Sequence, residues 1–589
     1  MHNFAEQCMD MARSILSHNL EAIHEDGSIE PVPGENPRSD ETGHAILALG
    51  EFYRATHETT LGKFNLPKIV AACLTAQMAQ ESENGLAHAA LGLLSFGPSK
   101  ERNAPWNALS VETREKFDKR LLVRNDYNDH RQAFNIGKAV TRFSLGLSKK
   151  DETTKLIDRF VERIAANSSG GFCDDSPKDL ATGKIGGCFD VFGILQYVFI
   201  RQSLQLHSNV HVRERKLPTL RTYAEKYLKL IPDVVRSDGL GWCVGAGTGA
   251  YGQMHLISLI LQSMRDGWIS ADKMPLYKDI LRKLFLFFFV TYLDQEQGFL
   301  VIRDNERSAD EMHTSRIANF DAARYLCQWS RLAKIVGGSL DGTPAQATRA
   351  TCKTILLDKS ARKEQALIIY DNPANSLHVQ IPIISGGARG DSDSLAFPHM
   401  PGIFDAPVGK YVPAFIPEWT IGDNVFTPSF YAKSLTTRIG LRNAFNVSYE
   451  QPDLITKDEK IVPGVGTVRV EWEFLGGKIT AKYTLRVKLP VVLKGMRLVM
   501  PIAACHSRYH LGSSPRLGEN SFGCTIGKDD FQGEWLNYED VSQDATQCTR
   551  YGKVYYYQTF TRVHPQNLRP GQQYHFEISF EPDIVPIES

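Results

Sequence analysis

The sequence predicts a two-part chain: an N-terminal toroid of about six helical hairpins, followed by a large antiparallel β-sandwich. Three observations support this fold class. Residues 1–337 hold about twelve segments with apolar side chains at helical spacing. Residues 353–589 hold strand-length apolar runs between proline and glycine turns. Residues 338–352 form a polar connector between them, so we expect a multidomain α and β protein.

The first part reads as a succession of paired helices because glycine and proline separate its amphipathic segments. Pro218 and Gly267 are two of these expected breaks. Helices paired in such numbers commonly close into a toroid, with the longer loops at one mouth. The segments are expected near 4–24, 41–57, 65–82, 85–96, 110–123, 131–147, 152–166, 188–207, 218–236, 249–266, 272–293 and 314–336.

The second part alternates or runs apolar over strand lengths. A long segment within it, 386–431, mixes charge, aromatic residues and proline, and we expect it to reach over the toroid mouth, although a plain surface excursion explains it equally well. The strands are expected at 366–370, 377–384, 467–474, 478–487, 491–500, 554–563 and 574–580.

Composition narrows the choice of partners. The 589 residues carry 67 Lys and Arg against 67 Asp and Glu, so a balanced charge gives no reason to expect nucleic acid or an anionic membrane. The N-terminus opens directly on an amphipathic helix, and the ten cysteines show no Cys-x-x-Cys pair. These features favour a reduced, cytoplasmic protein. No His-Glu-x-x-His, phosphate-loop or dinucleotide motif occurs, and we expect no metal or cofactor.

The most informative stretch is 237–264, a glycine-rich segment followed by an apolar helix. Tyr251 lies at the junction, where backbone N–H groups at a helix N-terminus favour an anion. A tyrosine held there can donate or accept a proton. Ordinary loop-to-helix packing is the competing interpretation.

A second group of polar residues precedes the helix expected at 131. Among Asn128, His130 and Arg131, Asn128 could neutralise a substrate carboxylate by hydrogen bonding, and His130 could act as a base. Arg131 is then a substrate contact. Alternatively, Asn128 only caps the helix and His130 is a surface residue.

A third group is acidic. Asp174 and Asp190 could provide the carboxylate pair of a glycoside hydrolase, with Asp175 binding substrate. The alternative is a turn at Asp174-Asp175 and a helix cap at Asp190.

Three further polar residues complete the candidates. His313 and Arg316 are one helical turn apart, so His313 could act as a base while Arg316 clamps a carboxylate. Helix capping in this segment is the alternative explanation. His399, in the long segment of the second part, could add a substrate contact from above.

The order of toroid and sandwich resembles chondroitin AC, hyaluronate, alginate and heparinase-type polysaccharide lyases. Asp238-Gly239 followed by 249–252 (Gly-Ala-Tyr-Gly) is similar to the segment that ends in the catalytic tyrosine of hyaluronate- and chondroitin-type lyases. The resemblance therefore implies a catalytic role for Tyr251. Those lyases have a histidine nine residues before the tyrosine, whereas this chain has Trp242, which we expect to offer a face for sugar stacking.

A second resemblance covers more of the chain. Residues 171–177 (Gly-Phe-Cys-Asp-Asp-Ser-Pro), 189–190 (Phe-Asp) and 396–399 (Ala-Phe-Pro-His) are similar to toroid-plus-sandwich proteins that include exo-acting β-glucuronidases. This resemblance implies hydrolysis rather than elimination.

The sequence thus predicts a carbohydrate-active enzyme that acts on a uronic-acid-containing oligosaccharide or polysaccharide. One hypothesis is a lyase with Tyr251 as proton donor or acceptor. The alternatives are a glycoside hydrolase using Asp174 and Asp190, and a carbohydrate-binding protein without activity. The sequence leaves the sugar, the linkage and a homodimer open.

Overall fold

The fold is that of a computed structural model, and its description covers most of the chain. The described residues are 4–33, 36–123, 125–127, 129–173, 189, 192–236, 239, 241–242, 249–294, 299–300, 316–337, 340, 349–360, 363–373, 377–383, 416–428, 432–440, 444–456, 460–502, 525–540, 548–549, 552–553 and 556–580.

The first part is helical, as predicted. The described residues contain thirteen α-helices: α1 (Phe4–Leu20), α2 (Glu41–Thr56), α3 (Leu66–Gln77), α4 (Glu83–Ser95), α5 (Ala104–Ala108), α6 (Val111–Arg120), α7 (Arg131–Ser144), α8 (Thr153–Asn167), α9 (Phe192–Leu206), α10 (Val210–Val234), α11 (Gly249–Arg265), α12 (Met274–Tyr292) and α13 (Arg316–Ile335).

Six of these helices form a closed inner ring. In order around the ring, α2, α4, α7, α9, α11 and α13 each pack against the next, and α13 packs back on α2. Their side chains are buried almost all round, as in α4, where every residue from Gly85 to Ser95 is buried. The outer helices are amphipathic and bury a single stripe, as α8 shows. This arrangement confirms the predicted toroid.

The inner helices run parallel to one another. A side-chain carbon at Gly43 would lie 2.0 Å from the Gly85 carbonyl oxygen, and one at Gly50 would lie 2.5 Å from that of Gly92. The two contacts are seven residues apart on both α2 and α4, so these two helices are aligned in the same direction. Two contacts at matching positions show the same alignment for α13 with α2, for α11 with α13 and for α7 with α9, and the second halves of α9 and α11 also meet. The starts of the inner helices therefore share one mouth of the ring, and their ends share the other.

Two details of the helical part differ from expectation. Pro218 lies inside α10, which begins at Val210, so the break expected at this proline was wrong. The helix begins earlier because Asn209 caps it, accepting the backbone N–H groups of His211 and Val212. The short helix α5 and two small hairpins, described with the strands below, were also not expected.

The second part is antiparallel, and each predicted strand run overlaps an observed strand. The strands of the described residues are β1 (Thr60–Leu61), β2 (Phe64–Asn65), β3 (Leu293–Asp294), β4 (Phe299–Leu300), β5 (Thr351–Lys359), β6 (Glu364–Asn372), β7 (Leu377–Ile383), β8 (Glu418–Ile421), β9 (Asn424–Thr427), β10 (Lys433–Ile439), β11 (Phe445–Gln451), β12 (Leu454–Thr456), β13 (Ile461–Val462), β14 (Gly466–Leu475), β15 (Lys478–Val487), β16 (Val491–Ile502), β17 (Thr525–Asp529), β18 (Leu536–Asp540), β19 (Cys548–Thr549), β20 (Gly552–Lys553), β21 (Tyr556–Arg562), β22 (Gln566–Leu568) and β23 (Gln573–Phe580).

Two large sheets form the sandwich. One has the order β10-β11-β14-β15-β23-β17, and the other β13-β12-β9-β8-β16-β21-β18, with β22 beside β16. Their inner faces share one apolar core, to which Trp472 of the first sheet and Trp419 of the second contribute. The hairpin β8–β9 belongs to the second sheet. Part of the segment 386–431, which was expected to be a long loop, therefore forms strands.

A third sheet, β5-β6-β7, joins the two parts. Adjacent residues of β6 face different cores: Leu367 and Ile369 pack in the core of the ring, whereas Ile368 and Tyr370 pack in the core of the sandwich. Ser168, just after α8, donates a hydrogen bond to the Leu357 carbonyl at 2.6 Å. The two parts are thus continuous through packing as well as through the chain.

Among the described residues, no helix combines the length and the apolar character that a membrane span requires.

Candidate active site

A cluster of buried polar side chains lies within the ring, near the mouth where the inner helices begin. We call it the tyrosine cluster; its members are His44, His88, Tyr251, Asp321 and Arg324. They come from four inner helices, α2, α4, α11 and α13: His44 and Tyr251 lie in the first turn of their helices, His88 and Asp321 in the second, and Arg324 in the third. Polar residues are rarely placed in such a core without a structural or chemical role.

Asp321 is the centre of the cluster. Its Oδ2 accepts a hydrogen bond from the Tyr251 hydroxyl at 2.9 Å. Its Oδ1 lies 2.9 Å from His44 Nδ1 and 3.0 Å from Arg324 Nε. Burial alone would oppose ionisation of Asp321, but the charge of Arg324 and the contact with His44 outweigh burial and hold its pKa well below the usual range. Asp321 is therefore a carboxylate.

Tyr251 remains a phenol at neutral pH. Burial, followed by the nearby charge of Asp321, raises the pKa of Tyr251 well above its ordinary value. The hydroxyl can consequently donate a proton but is a poor acceptor in the resting protein.

The two histidines stack on each other, with ring centroids 3.9 Å apart. His88 Nδ1 donates to the Asn84 carbonyl at 2.9 Å, which leaves the lone pair on Nε2. Burial, and then the neighbouring His44, lower the pKa of His88 well below its ordinary value. His88 is therefore neutral, and the pair supports Asp321 through His44.

The donor atoms of His44, His88 and Asp321 lie within 4.8 Å of one another, a spacing that a metal ion could use. Two features make the set a poor match for a cation. Both oxygens of Asp321 already accept hydrogen bonds, and the guanidinium of Arg324 lies beside one of them. The arrangement is better suited to proton transfer than to metal binding. The expectation that the protein binds no metal stays a prediction.

A second carboxyl group is buried at the same mouth. Glu41, the first residue of α2, is 2% exposed and accepts backbone N–H groups from Arg38 and from Arg316 at the start of α13. Burial nevertheless raises the pKa of Glu41 to about 7. Glu41 and Asp321 are thus two carboxyl groups whose environments push their pKa values apart.

His130 lies at the same mouth, immediately before α7. It is half-buried, and its ring stacks on Phe192 at the start of α9, with centroids 5.3 Å apart. Its ring also meets Phe134, which in turn contacts His88 with centroids 5.3 Å apart. His130 is therefore linked to the tyrosine cluster through one aromatic side chain.

Arg131 has intramolecular partners. Its guanidinium pairs with Asp129, with Nε 2.9 Å from Oδ1, and lies over the Tyr127 ring at 4.4 Å. The side chain is exposed, so it can reach a ligand only by sharing or leaving these contacts.

Trp242 and Arg316 have structural surroundings. Trp242 is 3% exposed and packs near Tyr227, with centroids 6.1 Å apart, so it offers no open face for a sugar. Gly252 permits this packing, because a side-chain carbon there would lie 2.6 Å from the Trp242 carbonyl oxygen. Arg316 donates to the Glu30 carbonyl and, at 3.1 Å, to Asn19 Oδ1, and so holds the end of α1 against α13.

The remaining sequence candidates lie outside the described residues. They are Asn128, Asp174, Asp175, Asp190, His313 and His399.

Sequence reasoning missed His44, His88, Asp321 and Arg324. A signal was present, because each is an ionisable residue within a helix that is otherwise buried on all sides. Asp321 and Arg324 also have the spacing of a helical ion pair.

Comparisons with known proteins give similarity of fold only. No family model matches the sequence, and no curated protein matches it. Among solved structures, the chain is similar to a Streptomyces coelicolor A3 chondroitin AC lyase in complex with chondroitin sulphate, at 10% identity, covering 98% of this chain and 79% of that chain with a TM-score of 0.49.

Two further similarities are weaker. A glycosyl hydrolase family 88 protein from Bacteroides vulgatus is 11% identical over 56% of this chain and 99% of that chain, with a TM-score of 0.38. Heparinase III is 8% identical over 94% of this chain and 86% of that chain, with a TM-score of 0.30. Similarity at this level carries no information about activity.

Proposed function

We propose that this protein is a carbohydrate-active enzyme that cleaves a uronic-acid-containing oligosaccharide or polysaccharide by β-elimination. The observation that carries the proposal is the hydrogen bond of the buried Tyr251 hydroxyl to Asp321, at the mouth where the inner helices begin. The local resemblance of 249–252 to the tyrosine segment of polysaccharide lyases supports the same assignment.

The reaction needs an acid, a base and a neutralised carboxylate. The base removes the proton from C5 of the uronate, a double bond forms between C4 and C5, and the bond from C4 to the leaving oxygen breaks. The leaving oxygen then takes a proton. Tyr251 suits the role of acid because its raised pKa keeps it protonated at neutral pH.

Arg324 and Asp321 position the acid. Asp321 fixes the phenol through its hydrogen bond, and the phenol turns its hydrogen from Asp321 to the leaving oxygen. Arg324, 3.0 Å from Asp321, places a positive charge near the phenolate that forms.

We assign the base to His130 and the neutralisation of the substrate carboxylate to Asn128. His130 is half-buried at the mouth, whereas His44 and His88 are held by Asp321 and Asn84 in the interior. The starts of six parallel helices at this mouth add a positive field that favours an anionic sugar.

One observation favours a second candidate, a glycoside hydrolase similar to exo-acting β-glucuronidases. Glu41, with its pKa of about 7, and the ionised Asp321 form the kind of carboxyl pair that separates acid from base. In this alternative they act with, or in place of, Asp174 and Asp190. A carbohydrate-binding protein without activity is the third candidate.

The test is incubation with a panel of uronic-acid oligosaccharides, followed both by ultraviolet absorbance and by assay of reducing ends. A lyase gives new absorbance from its unsaturated product; a hydrolase gives reducing ends alone. Binding without either product would identify a binding protein.

Two variants separate the mechanisms. For a lyase, Tyr251→Phe should lose at least about 100-fold in turnover, because removing a general acid typically costs that much. Glu41→Gln should leave turnover within a few-fold. The opposite pattern would contradict the lyase proposal and favour the hydrolase.

A further inference from the structure

The inner helices end in a group of arginines at the mouth opposite the tyrosine cluster, one of them buried and three partly exposed. We call it the arginine cluster; its charged members are Glu51, Arg54, Arg201, Arg265, Asp266 and Arg331. It lies in the last two turns of α2, α9, α11 and α13, with Asp266 directly after α11.

One carboxylate of the cluster is shared by two arginines. Glu51 is fully buried and lies 2.7 Å from Arg54 Nη1 and 3.3 Å from Arg331 Nη2. Gln202 of α9, on the opposite side of the ring, donates to Glu51 at 2.9 Å, so this contact crosses the ring. Burial opposes the charge of Glu51, but Arg54 and Arg331 outweigh it and lower the pKa of Glu51 to about 2.

The other carboxylate is also shared. Arg201, which is fully buried, forms an ion pair with Asp266, and Arg265 Nη2 lies 2.6 Å from the same side chain. The Arg201 guanidinium lies over the Trp268 ring at 4.1 Å. The cluster therefore holds four guanidinium groups but only two carboxylates.

Several buried donors of this region have no hydrogen-bond partner among the described residues. They are Nε and Nη1 of Arg201, Nε of Arg331, Nε2 of Gln262 and the hydroxyl of Ser263; two acceptors, Oε1 of Gln262 and Oδ2 of Asp266, likewise have no hydrogen bond. The chain lies close around Arg201, whose Nη2 donates to the Gln262 carbonyl at 3.2 Å. Buried polar groups in folded proteins nearly always have partners, and here the unpartnered donors outnumber the unpartnered acceptors.

The charges of the cluster repel one another. Burial, and then the positive charges of Arg331, Arg54 and Arg213, lower the pKa of Arg265 to about 10. The carbonyl ends of the inner helices offset part of this excess. They do not supply acceptors to the unpartnered donors of Arg201.

We propose that the arginine cluster binds a small tetrahedral oxyanion of the inorganic phosphate or sulfate class. Such an anion provides several oxygen acceptors, and guanidinium groups bind it through paired N–H donors. Arg54, Arg265 and Arg331 have side chains that are 16–18% exposed, so the cluster is reachable from solvent. The site is independent of the proposed β-elimination, and its test uses the anion alone.

The experiment is thermal unfolding of the full chain in increasing inorganic phosphate or sodium sulfate, with sodium chloride at matched ionic strength as reference. A ligand of the folded state raises the melting temperature with the logarithm of its concentration, once that concentration exceeds the dissociation constant. We expect a rise of roughly 2 °C at an anion concentration about 100 times the dissociation constant, given the unfolding entropy of a chain of this length. The two anions are titrated separately, and the larger shift identifies the preferred one.

Arg265→Gln should weaken the apparent affinity for the anion at least tenfold, because it removes one guanidinium from the cluster. Arg282→Gln is the matched control, since Arg282 pairs with Asp279 on the outer helix α12 and lies outside the cluster. The control should keep the affinity of the unaltered protein.

Two results would overturn the proposal: equal stabilisation by chloride and by both oxyanions, or the same oxyanion affinity in Arg265→Gln and Arg282→Gln. If Arg265→Gln does not fold, calorimetric titration of the unaltered protein with phosphate decides. Saturable binding to one site supports the proposal, and no heat above the chloride reference rejects it.

Discussion

At the scale of single residues, the chemistry of the protein depends on how Asp321 is neutralised. Its charge is balanced by Arg324 on its own helix and by donors from α2 and α11. A buried carboxylate is tolerated only when interactions with its partners compensate for the lost hydration energy. The same contacts hold Tyr251 in place, so stability and proposed catalysis depend on one group.

Asp321→Asn should be strongly destabilising because it leaves the buried Arg324 without its counter-charge. We expect a loss of about 3–5 kcal/mol in the free energy of unfolding, the usual range for a broken buried pair. Urea denaturation measures it. Asp126→Asn is the control, since Asp126 pairs with Arg159 in an exposed ion pair and should change stability by less than about 1 kcal/mol. Equal effects of the two substitutions would contradict this account of Asp321.

Glu41 gives a prediction that depends on pH. Its pKa of about 7 in the folded protein lies above the ordinary value of about 4.3 for the unfolded chain. The folded state therefore favours the protonated form of Glu41. This preference stabilises the folded protein at low pH, and the stabilisation is lost as the pH rises through 7.

Glu41→Gln keeps the shape of the side chain and cannot ionise, so it should be more stable than the unaltered protein at pH 8. We expect a gain on the order of 1–3 kcal/mol at pH 8 and little difference near pH 4. Thermal unfolding of both proteins at the two pH values measures it. A gain of the same size at both pH values would show that the charge of Glu41 is not the cause.

At the scale of elements, the close approach of α2 and α4 depends on glycine. A side-chain carbon at Gly92 would lie 2.4 Å from the Ile46 carbonyl oxygen, which is backbone and cannot turn away. The two helices would have to separate. Because each inner helix packs on both of its neighbours, a displacement of α2 or α4 would also disturb the packing of the adjacent inner helices.

Gly92→Ala should therefore destabilise the protein by about 2 kcal/mol or more, although alanine is normally favoured in a helix by about 1 kcal/mol. Gly137→Ala on α7 is the matched control, because its new carbon would meet the Phe199 side chain at 2.8 Å, and a side chain can shift. Chemical denaturation of both variants tests the comparison. A loss at Gly92 no larger than at Gly137 would contradict the packing argument.

At the scale of the whole molecule, β6 couples the ring to the sandwich. Adjacent residues of this strand belong to different cores, so neither core is complete without it. Unfolding of one part would expose the apolar residues that β6 contributes to it.

We therefore expect ring and sandwich to unfold in one cooperative transition. Ile369→Ala removes a side chain from the core of the ring, and Ile368→Ala removes one from the core of the sandwich. Each should cost about 2–5 kcal/mol and lower the same calorimetric peak. Two peaks, with each variant shifting only one of them, would show that the parts are independent.

The sequence by itself determined the order of the two parts and the type of nearly every long element. Apolar residues at a period of 3.6 or 2 report which face of a segment is buried, and this is a local property of the chain. The position of Tyr251 at the start of a helix could also be predicted from the neighbouring sequence, because the glycine-rich segment before it marks the helix boundary. Pro218 lies within a helix although proline often marks a helix boundary, because that preference is only probable.

Only the tertiary structure decided which polar groups meet. His44 and Asp321 are 277 residues apart and come within 2.9 Å because the ring closes by bringing α13 back to α2. The same packing made Trp242 a core residue and gave Arg316 partners on α1, two positions where residue type alone suggested a sugar contact. Burial and long-range contacts fix pKa values and access, and neither is encoded in the spacing of neighbouring residues.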